Sequence, residues 1–141
     1  DGKVLNHPLE IDDSRYLISC VSMGNPHCVI YCDDVEQLDV GGLGSRVEFH
    51  PFFPNRVNVE FVQVLGPKEV RMRVWERGAG ETWACGTGAC AATVAGALME
   101  RTHRKTTVHL KGGDLTIDWR GDKHVYMTGA VEEVFQGTVK A

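Results

Sequence analysis

A run of small and apolar residues constrains the fold of this chain more than any other feature of its sequence. Residues 89–100 read Ala-Cys-Ala-Ala-Thr-Val-Ala-Gly-Ala-Leu-Met-Glu. A helix at a protein surface has one apolar and one polar face, but a helix over this run has small or apolar residues on every side. We therefore predict a helix here that the rest of the fold surrounds.

Segments with the residue types and alternation of β-strands flank this helix on both sides. They are residues 15–22, 27–32, 57–64 and 70–76 before the helix and residues 106–110, 115–119, 125–128 and 131–139 after it. The sequence Gly-Pro-Lys-Glu at 66–69 has hairpin length, and residues 33–47 have the polar and glycine content of a short, weak helix. Strands on both sides of one buried helix imply an α+β fold, with a mixed or antiparallel sheet curled around the central helix.

Charge and composition exclude several classes of partner. The 141 residues include 15 Lys and Arg against 19 Asp and Glu, a formal net charge of −4, and the basic residues are scattered. A nucleic-acid or anionic-membrane footprint is therefore missing, and no run approaches the roughly 18 apolar residues of a membrane helix. Five cysteines without paired Cys-x-x-Cys spacing fit a reducing compartment. We expect a cytoplasmic protein whose partner is a small molecule or another protein.

The strongest functional signal is Cys85-Gly86-Thr87-Gly88, directly before the predicted buried helix. Free backbone N–H groups and the positive end of the helix dipole favour a bound carboxylate there and lower the pKa of a thiol. Glycines let the backbone approach a ligand, and Thr87 adds a hydroxyl donor or a cap. On this motif alone, a capped helix with an inert buried cysteine is an equally good interpretation.

Three further places in the chain carry candidate site residues. Glu76 and Arg77 stand where a strand ends and a glycine-rich loop begins, where an Arg can pair with a carboxylate and a Glu can bind an ammonium group. Asn25 and His27 flank a proline in a turn, and a His can set the protonation of a thiol. Asn58 is a polar break in a valine-rich strand. The structural alternatives are a surface ion pair, an ordinary Asn-Pro turn and a cap at a sheet edge.

The remaining cysteines are expected to pack in the core. Cys20, Cys28 and Cys32 lie on predicted strands, the last two on one strand face with Ile30, and Cys90 lies inside the apolar helix. The scattered histidines do not form the paired short spacings of a zinc site, so the sequence predicts no metal centre.

Four motifs in order resemble one known family. They are Met-Gly-Asn-Pro-His-Cys at 23–28, Arg-Val-Asn at 56–58, Glu-Arg-Gly-Ala-Gly-Glu-Thr at 76–82 and Ala-Cys-Gly-Thr-Gly-Ala-Cys-Ala at 84–91. Together they look like the bacterial diaminopimelate epimerase family, and the last two motifs are highly specific. The resemblance implies an enzyme of two similar halves that each wrap a sheet around a central helix. Without a cofactor, a thiolate of one half removes the α-proton of diaminopimelate and a thiol of the other half returns a proton to the opposite face, interconverting the LL and meso forms.

The resemblance also implies roles for individual residues. The α-proton of an amino acid is weakly acidic, so its removal requires desolvation, an anion hole and accurate placement together. Cys85 would be one acid/base thiol, with His27 and Glu76 tuning or orienting the thiols. The implied catalytic residues are Cys85, His27 and Glu76, and the implied substrate-binding residues are Asn25, Asn58, Glu76, Arg77, Gly86 and Thr87.

The sequence departs from the family pattern in one respect, since no other cysteine stands in a second motif of this kind. We therefore expect residues 1–141 to be the C-terminal domain of a two-domain epimerase, folded but inactive alone. Its last strand, about 134–141, would normally return to the other domain. That strand could instead pair with another chain, which leaves a homodimer open. Two alternatives remain, a related proline-racemase-like isomerase and a non-catalytic module that binds amino acids or serves in assembly.

Overall fold

The fold is α+β, as predicted, and its elements are built around one mixed sheet. The structure is a computed structural model that describes residues 4–140. Within these residues the strands are β1 (Val4–Ile11), β2 (Ser14–Ser22), β3 (Pro26–Tyr31), β4 (Asn58–Gly66), β5 (Glu69–Glu76), β6 (Gly80–Thr82), β7 (Lys105–Leu110), β8 (Gly113–Trp119) and β9 (Val125–Gly129), and the helices are α1 (Val40–Glu48) and α2 (Gly86–Leu98). In the same part of the chain no helix is long and apolar enough to cross a membrane.

The sheet has the order β1-β2-β3-β4-β5-β7-β8-β9, with β6 paired to β5. The pairs β3–β4 and β5–β7 are parallel and all other pairs are antiparallel. Parallel neighbours need a long crossover connection, and α1 and α2 lie in those two connections. Because β3 and β4 run opposite to β5 and β7, crossovers of the same hand place the two helices on opposite faces of the sheet.

Strand alternation divides the core between these two faces. On β3 and β4, Cys28 and Phe61 belong to the cluster that includes α1, whereas Val29 and Val62 belong to the cluster that includes α2. Successive side chains of a strand point to opposite faces, so Glu60, two residues before Val62, lies on the α2 face. One carboxylate is thereby placed beneath the buried helix.

Helix α2 is buried, as its composition predicted. It contacts β2, β3 and β4 as well as β7, β8 and β9, so the open sheet curls around it from both ends. The helix begins at Gly86, three residues earlier than predicted, and Cys85 is its N-cap with an extended backbone. It ends at Leu98, and Glu100 just beyond has a left-handed φ of 57°. The thiol motif therefore forms the first turn of the helix.

Three details of the predicted secondary structure need correction. The predicted strand over 131–139 is wrong: residues 130–140 form no helix or strand, and Val131 and Phe135 are 96% and 84% exposed. β-favouring residues form a strand only where a neighbouring strand accepts their hydrogen bonds. At this end of the sheet β8 pairs with β9, and no described strand pairs with residues 130–140. Residue 141, at the end of the predicted last strand, lies outside the described residues. β1 was not predicted, and β6 forms within the glycine-rich loop because left-handed turns at Gly78 and Gly80 bring it back against β5.

Candidate functional site

The predicted site residues converge on one edge of the sheet at the N-terminus of α2. Parallel strands start at the same edge, and β3 and β4 pair with His27 opposite Asn58. β5 runs antiparallel to β4 and therefore ends at this edge, at Glu76. The first turn of α2 with Cys85 lies beside them, as the hydrogen bonds below show. The topology thus assembles residues that are 60 positions apart in sequence.

Cys85 is held at the first turn of α2. The Gly88 backbone N–H donates to Cys85 Sγ at 3.3 Å, and Thr87 Oγ1 lies 3.6 Å from the same sulfur. Burial, to 9% exposure, raises the pKa of the Cys85 thiol, and the carboxylates of Glu60 and Glu76 raise it further. The bonds from Thr87 and Gly88 lower this pKa but do not compensate for burial. The expected lowering of the thiol pKa is therefore wrong in sign.

A chain of hydrogen bonds leads from the core to this thiol. His27 Nδ1 lies 2.6 Å from Glu60 Oε1, and both side chains are fully buried. His27 Nε2 lies 2.9 Å from Asn25 Oδ1. Asn25 Nδ2 donates to Thr87 Oγ1 at 3.3 Å, and Thr87 is the hydroxyl beside Cys85. The structure thus brings Asn25, His27, Thr87 and Cys85 together.

Glu60 is the site residue that the sequence motifs did not reveal. Its signal was available, because Glu60 is the charged residue in the valine-rich segment 57–64 and shares a strand face with Asn58. What the sequence could not show was the parallel register of β3 and β4, which brings Glu60 to His27. Burial raises the pKa of the Glu60 carboxyl, and the hydrogen bond from His27 opposes this rise.

Asn58 joins two of the site loops. Its Nδ2 donates to the Pro26 carbonyl at 3.0 Å, and its Oδ1 accepts the Arg77 backbone N–H at 2.9 Å. The side chain thereby fixes the turn that carries Asn25 against the loop that carries Arg77. Its amide retains one N–H beyond these two bonds, so its predicted contact with a substrate stays a prediction.

Glu76 and Arg77 point in different directions from the end of β5. Glu76 Oε1 accepts the Thr82 hydroxyl at 2.5 Å, whereas the Arg77 guanidinium is exposed and donates to the Asn55 carbonyl at 3.3 Å. Among residues 4–140, no carboxylate lies within ion-pair distance of Arg77. The surface ion pair that was the alternative interpretation does not form in this region, and the guanidinium is available for an anion.

The glycines of the motif serve close packing within the protein. A Cβ on Gly88 would lie 2.7 Å from Glu60 Oε1 and 3.2 Å from Cys85 Sγ. A Cβ on Gly86 would meet the end of the Met127 side chain, at 3.0 Å from its sulfur. At Gly88 a buried carboxylate therefore occupies the space that a side chain would need, whereas at Gly86 the approach of a ligand stays a prediction.

The other cysteines have the packing roles that were predicted. Cys28 is fully buried in the core cluster that includes α1, and Cys20 and Cys32 pack against that cluster. Cys90 packs against the core around α2, and burial raises its pKa. Within the described part of the chain, no three His, Cys, Asp or Glu side chains cluster as metal ligands would.

Solved structures share this fold at low sequence identity. A phenazine biosynthesis protein of the PhzF family from Bacillus anthracis matches with a TM-score of 0.53 and 19% identity, over 89% of this chain and 36% of that one. A PhzF-family protein from Enterococcus faecalis matches with a TM-score of 0.55 and 14% identity, over 75% of this chain and 40% of that one. These similarities support the α+β fold and carry no information on the reaction.

Curated relatives match far more closely. The diaminopimelate epimerase of Pelotomaculum thermopropionicum is 60% identical over 136 residues, which are 96% of this chain and 49% of the relative. That of Moorella thermoacetica is 61% identical over 95% of this chain and 48% of its own length. The chain thus spans about half the length of these relatives. The sequence model of the family, described as diaminopimelate epimerase, matches residues 19–134. On these matches, this chain belongs to the diaminopimelate epimerase family.

Proposed function

We propose that this chain is the C-terminal domain of an enzyme that interconverts LL- and meso-diaminopimelate with two thiols and no cofactor. The observation that carries the proposal is the position of Cys85. It caps a buried helix, and a hydrogen-bonded chain from its neighbour Thr87 reaches the buried His27–Glu60 pair. Such a site combines one acid/base group with free backbone donors, as proton transfer at a carbon next to a carboxylate requires.

In the proposed reaction the substrate α-carboxylate binds at the first turn of α2. The backbone N–H groups at Gly86 and Thr87 have no partner one turn earlier in the helix, so they can donate to an anion. When the α-proton leaves, the electron pair of the broken C–H bond spreads into that carboxylate. The same N–H groups then stabilise the added negative charge.

Cys85 would work as the proton donor in one direction of the reaction. Burial and the two nearby carboxylates raise its pKa, which favours the thiol over the thiolate. Its S–H bond breaks as a new C–H bond forms on the α-carbon. A thiolate on the opposite face, supplied by the other domain, removes the original α-proton and becomes a thiol. In the reverse direction Cys85 takes the proton, so the two thiols exchange roles.

The distal end of the substrate would be held by the loops that Asn58 joins. The exposed guanidinium of Arg77 can bind the distal carboxylate, and the amides of Asn25 and Asn58 can bind distal polar groups. Glu76 contributes a carboxylate for an ammonium group while its other contact, to Thr82, fixes its direction. A diamino-dicarboxylate matches this combination of donors and acceptors.

The last segment of the chain would dock on the other domain. Residues 130–140 form no helix or strand and carry the exposed apolar residues Val131, Val134, Phe135 and Val139. Apolar residues with strand propensity are stabilised when they pair with a further strand. We propose that this segment pairs with the other domain in a cytoplasmic enzyme, or with a second copy of this chain in a homodimer. A chain that stays monomeric at high concentration in light scattering would rule out the homodimer.

Incubation of the chain with LL-diaminopimelate in D₂O tests the proposed division of labour. We expect neither meso product nor deuterium at the α-carbon, because the second thiol is missing. Mass spectrometry of the recovered substrate measures both. Deuteration or epimerisation at the rate of a full-length relative would show that this chain needs no second domain.

The alternative is a module that binds amino acids without catalysis, and the same chain can be used to test it. Isothermal titration of the chain with diaminopimelate and with proline separates it from the proposal. An intact, selective amino-acid site in the chain alone would support a binding module. Weak or absent binding is expected, since half of the proposed site lies in the other domain.

A further inference from the structure

We infer that Glu60 is a positioning residue, which fixes the protons of the His27 ring and through them the orientation of Asn25 and Thr87 beside Cys85. The inference rests on the proposed function of this site. The motifs do not include Glu60, and the proposed reaction uses only its charge near Cys85, although it is the one carboxylate that contacts His27 among the described residues.

The burial of the pair makes its geometry rigid. Both side chains are fully buried, and Glu60 Oε1 lies 2.6 Å from His27 Nδ1. Glu60 Oε2 is also buried and has no hydrogen-bond partner among the described residues. A buried carboxylate with a single hydrogen bond is costly, and such groups persist where they serve a site. His27 therefore provides the hydrogen bond that compensates for burial of Glu60.

Hydrogen-bond partners determine where the protons of His27 lie. Asn25 Nδ2 donates to Thr87, so Asn25 presents its carbonyl oxygen Oδ1 to His27 Nε2. A carbonyl oxygen accepts only, so Nε2 must carry a hydrogen. A second proton lies between His27 Nδ1 and Glu60 Oε1, since two oxygen or nitrogen acceptors without a proton would repel at 2.6 Å.

This arrangement excludes one role for His27 and supports another. Nε2 is a donor to Asn25, so it cannot take a proton from a thiol without breaking that bond. His27 instead holds Asn25 in the orientation that donates to Thr87, and Thr87 contacts Cys85. Asn25 Oδ1 disfavours a ring without a proton on Nε2, because a lone pair would then point at a carbonyl oxygen. The proton that Glu60 shares with Nδ1 lets the ring keep its hydrogen on Nε2 while Nδ1 stays bonded.

The first turn of α2 is also shaped around Glu60. Gly88, whose N–H donates to Cys85, approaches so closely that a Cβ would lie 2.7 Å from Glu60 Oε1 and 3.1 Å from its Cγ. The carboxylate thus contacts both the ring that orients Asn25 and the turn that holds the thiol. A positioning role follows from these two contacts together.

Nuclear magnetic resonance of the chain labelled with ¹⁵N at histidine tests the inference without catalysis. We expect a proton on His27 Nε2 and a strongly deshielded proton shared by Nδ1 and Glu60. Glu60→Gln should remove the deshielded proton, because the amide can only form an ordinary bond to the ring. Glu48→Gln, at a second buried carboxylate that bonds Trp75 and Gly78 instead, should leave the His27 signals unchanged. A wild-type spectrum with no proton at Nδ1 overturns the inference even if no variant folds.

Kinetics of a full-length hybrid give the functional result. In the hybrid, the preceding half of the Pelotomaculum relative is joined to this chain. Glu60→Gln should lower kcat about tenfold or more with KM changed less than about threefold, as for other residues that orient a group at a site. Full activity of the variant would overturn the positioning role. An inactive wild-type hybrid would instead overturn the proposed function, and the spectra of the chain would still decide the proton arrangement.

Discussion

Gly88→Ala tests whether the first turn of α2 is packed against Glu60. In an exposed helix this change would stabilise the protein by about 1 kcal/mol, since alanine is a better helix former than glycine. Here the added Cβ would lie 2.7 Å from Glu60 Oε1 and 3.2 Å from Cys85 Sγ. Neither neighbour is a flexible chain end with room to move, because Glu60 is fully buried and bonded to His27.

The expected loss in the free energy of unfolding is the balance of two costs and one gain. Overpacking a dense core costs about 1–3 kcal/mol, and disturbing a buried ion pair costs up to about 3–5 kcal/mol when one partner is lost outright. Against the gain of about 1 kcal/mol in helix propensity, we expect a net loss of about 2 kcal/mol in the free energy of unfolding. Urea unfolding followed by tryptophan fluorescence measures it.

Gly86→Ala, two residues earlier in the same turn, is the matched control. Its Cβ would meet the end of the Met127 side chain, which is 53% exposed and can move aside. We expect the free energy of unfolding to change by less than about 1 kcal/mol. If Gly88→Ala is as stable as wild type, the close packing of α2 against Glu60 is refuted, and with it the explanation of this glycine.

Two further predictions concern the reactivity of the Cys85 thiol and the stability lost when a buried or an exposed phenylalanine is replaced. Glu76→Gln should speed alkylation of Cys85 by iodoacetamide at pH 8, because a carboxylate that raises the thiol pKa has been removed and more thiolate is present. Glu100→Gln, an exposed change at the far end of α2, should leave the rate unchanged, and equal rates in all three proteins would contradict the electrostatic account. Phe61→Ala should cost about 3–5 kcal/mol in urea unfolding, since Phe61 is fully buried. Phe135→Ala should cost less than about 0.5 kcal/mol, and a larger loss would show that the final segment packs on this domain.

Local sequence was sufficient for the features that depend on composition and chain order. A helix with small or apolar residues on every side must be surrounded, and α2 is contacted by strands from both ends of the sheet. Cys85 stands immediately before that run, so its place at the first turn could also be predicted. The alternating segments at 57–64 and 70–76 could also be predicted from local sequence, because a connection of hairpin length joins them, and they form the antiparallel pair β4–β5.

Features that depend on strand register or on a missing neighbour could not be predicted. Glu60 reaches His27 only because β3 and β4 are parallel with His27 opposite Asn58. The pKa of Cys85 is raised where a lowering was expected, chiefly because the thiol is buried and also because the carboxylates of Glu60 and Glu76 lie nearby, and the sequence shows neither. Residues 131–139 have strand propensity, but propensity forms a strand only with a partner, and none is supplied to them by residues 4–140.

The central claim is that Cys85 is one of two acid/base thiols and that the second lies outside this chain. The full-length hybrid tests it most directly, with deuterium incorporation at the α-carbon of LL- and meso-diaminopimelate measured in D₂O. We expect the hybrid to deuterate and interconvert both forms and Cys85→Ser to reduce interconversion by at least about a hundredfold. Cys90→Ser, one turn further along the same helix, should retain the activity. Undiminished interconversion by the Cys85→Ser hybrid would contradict the claim.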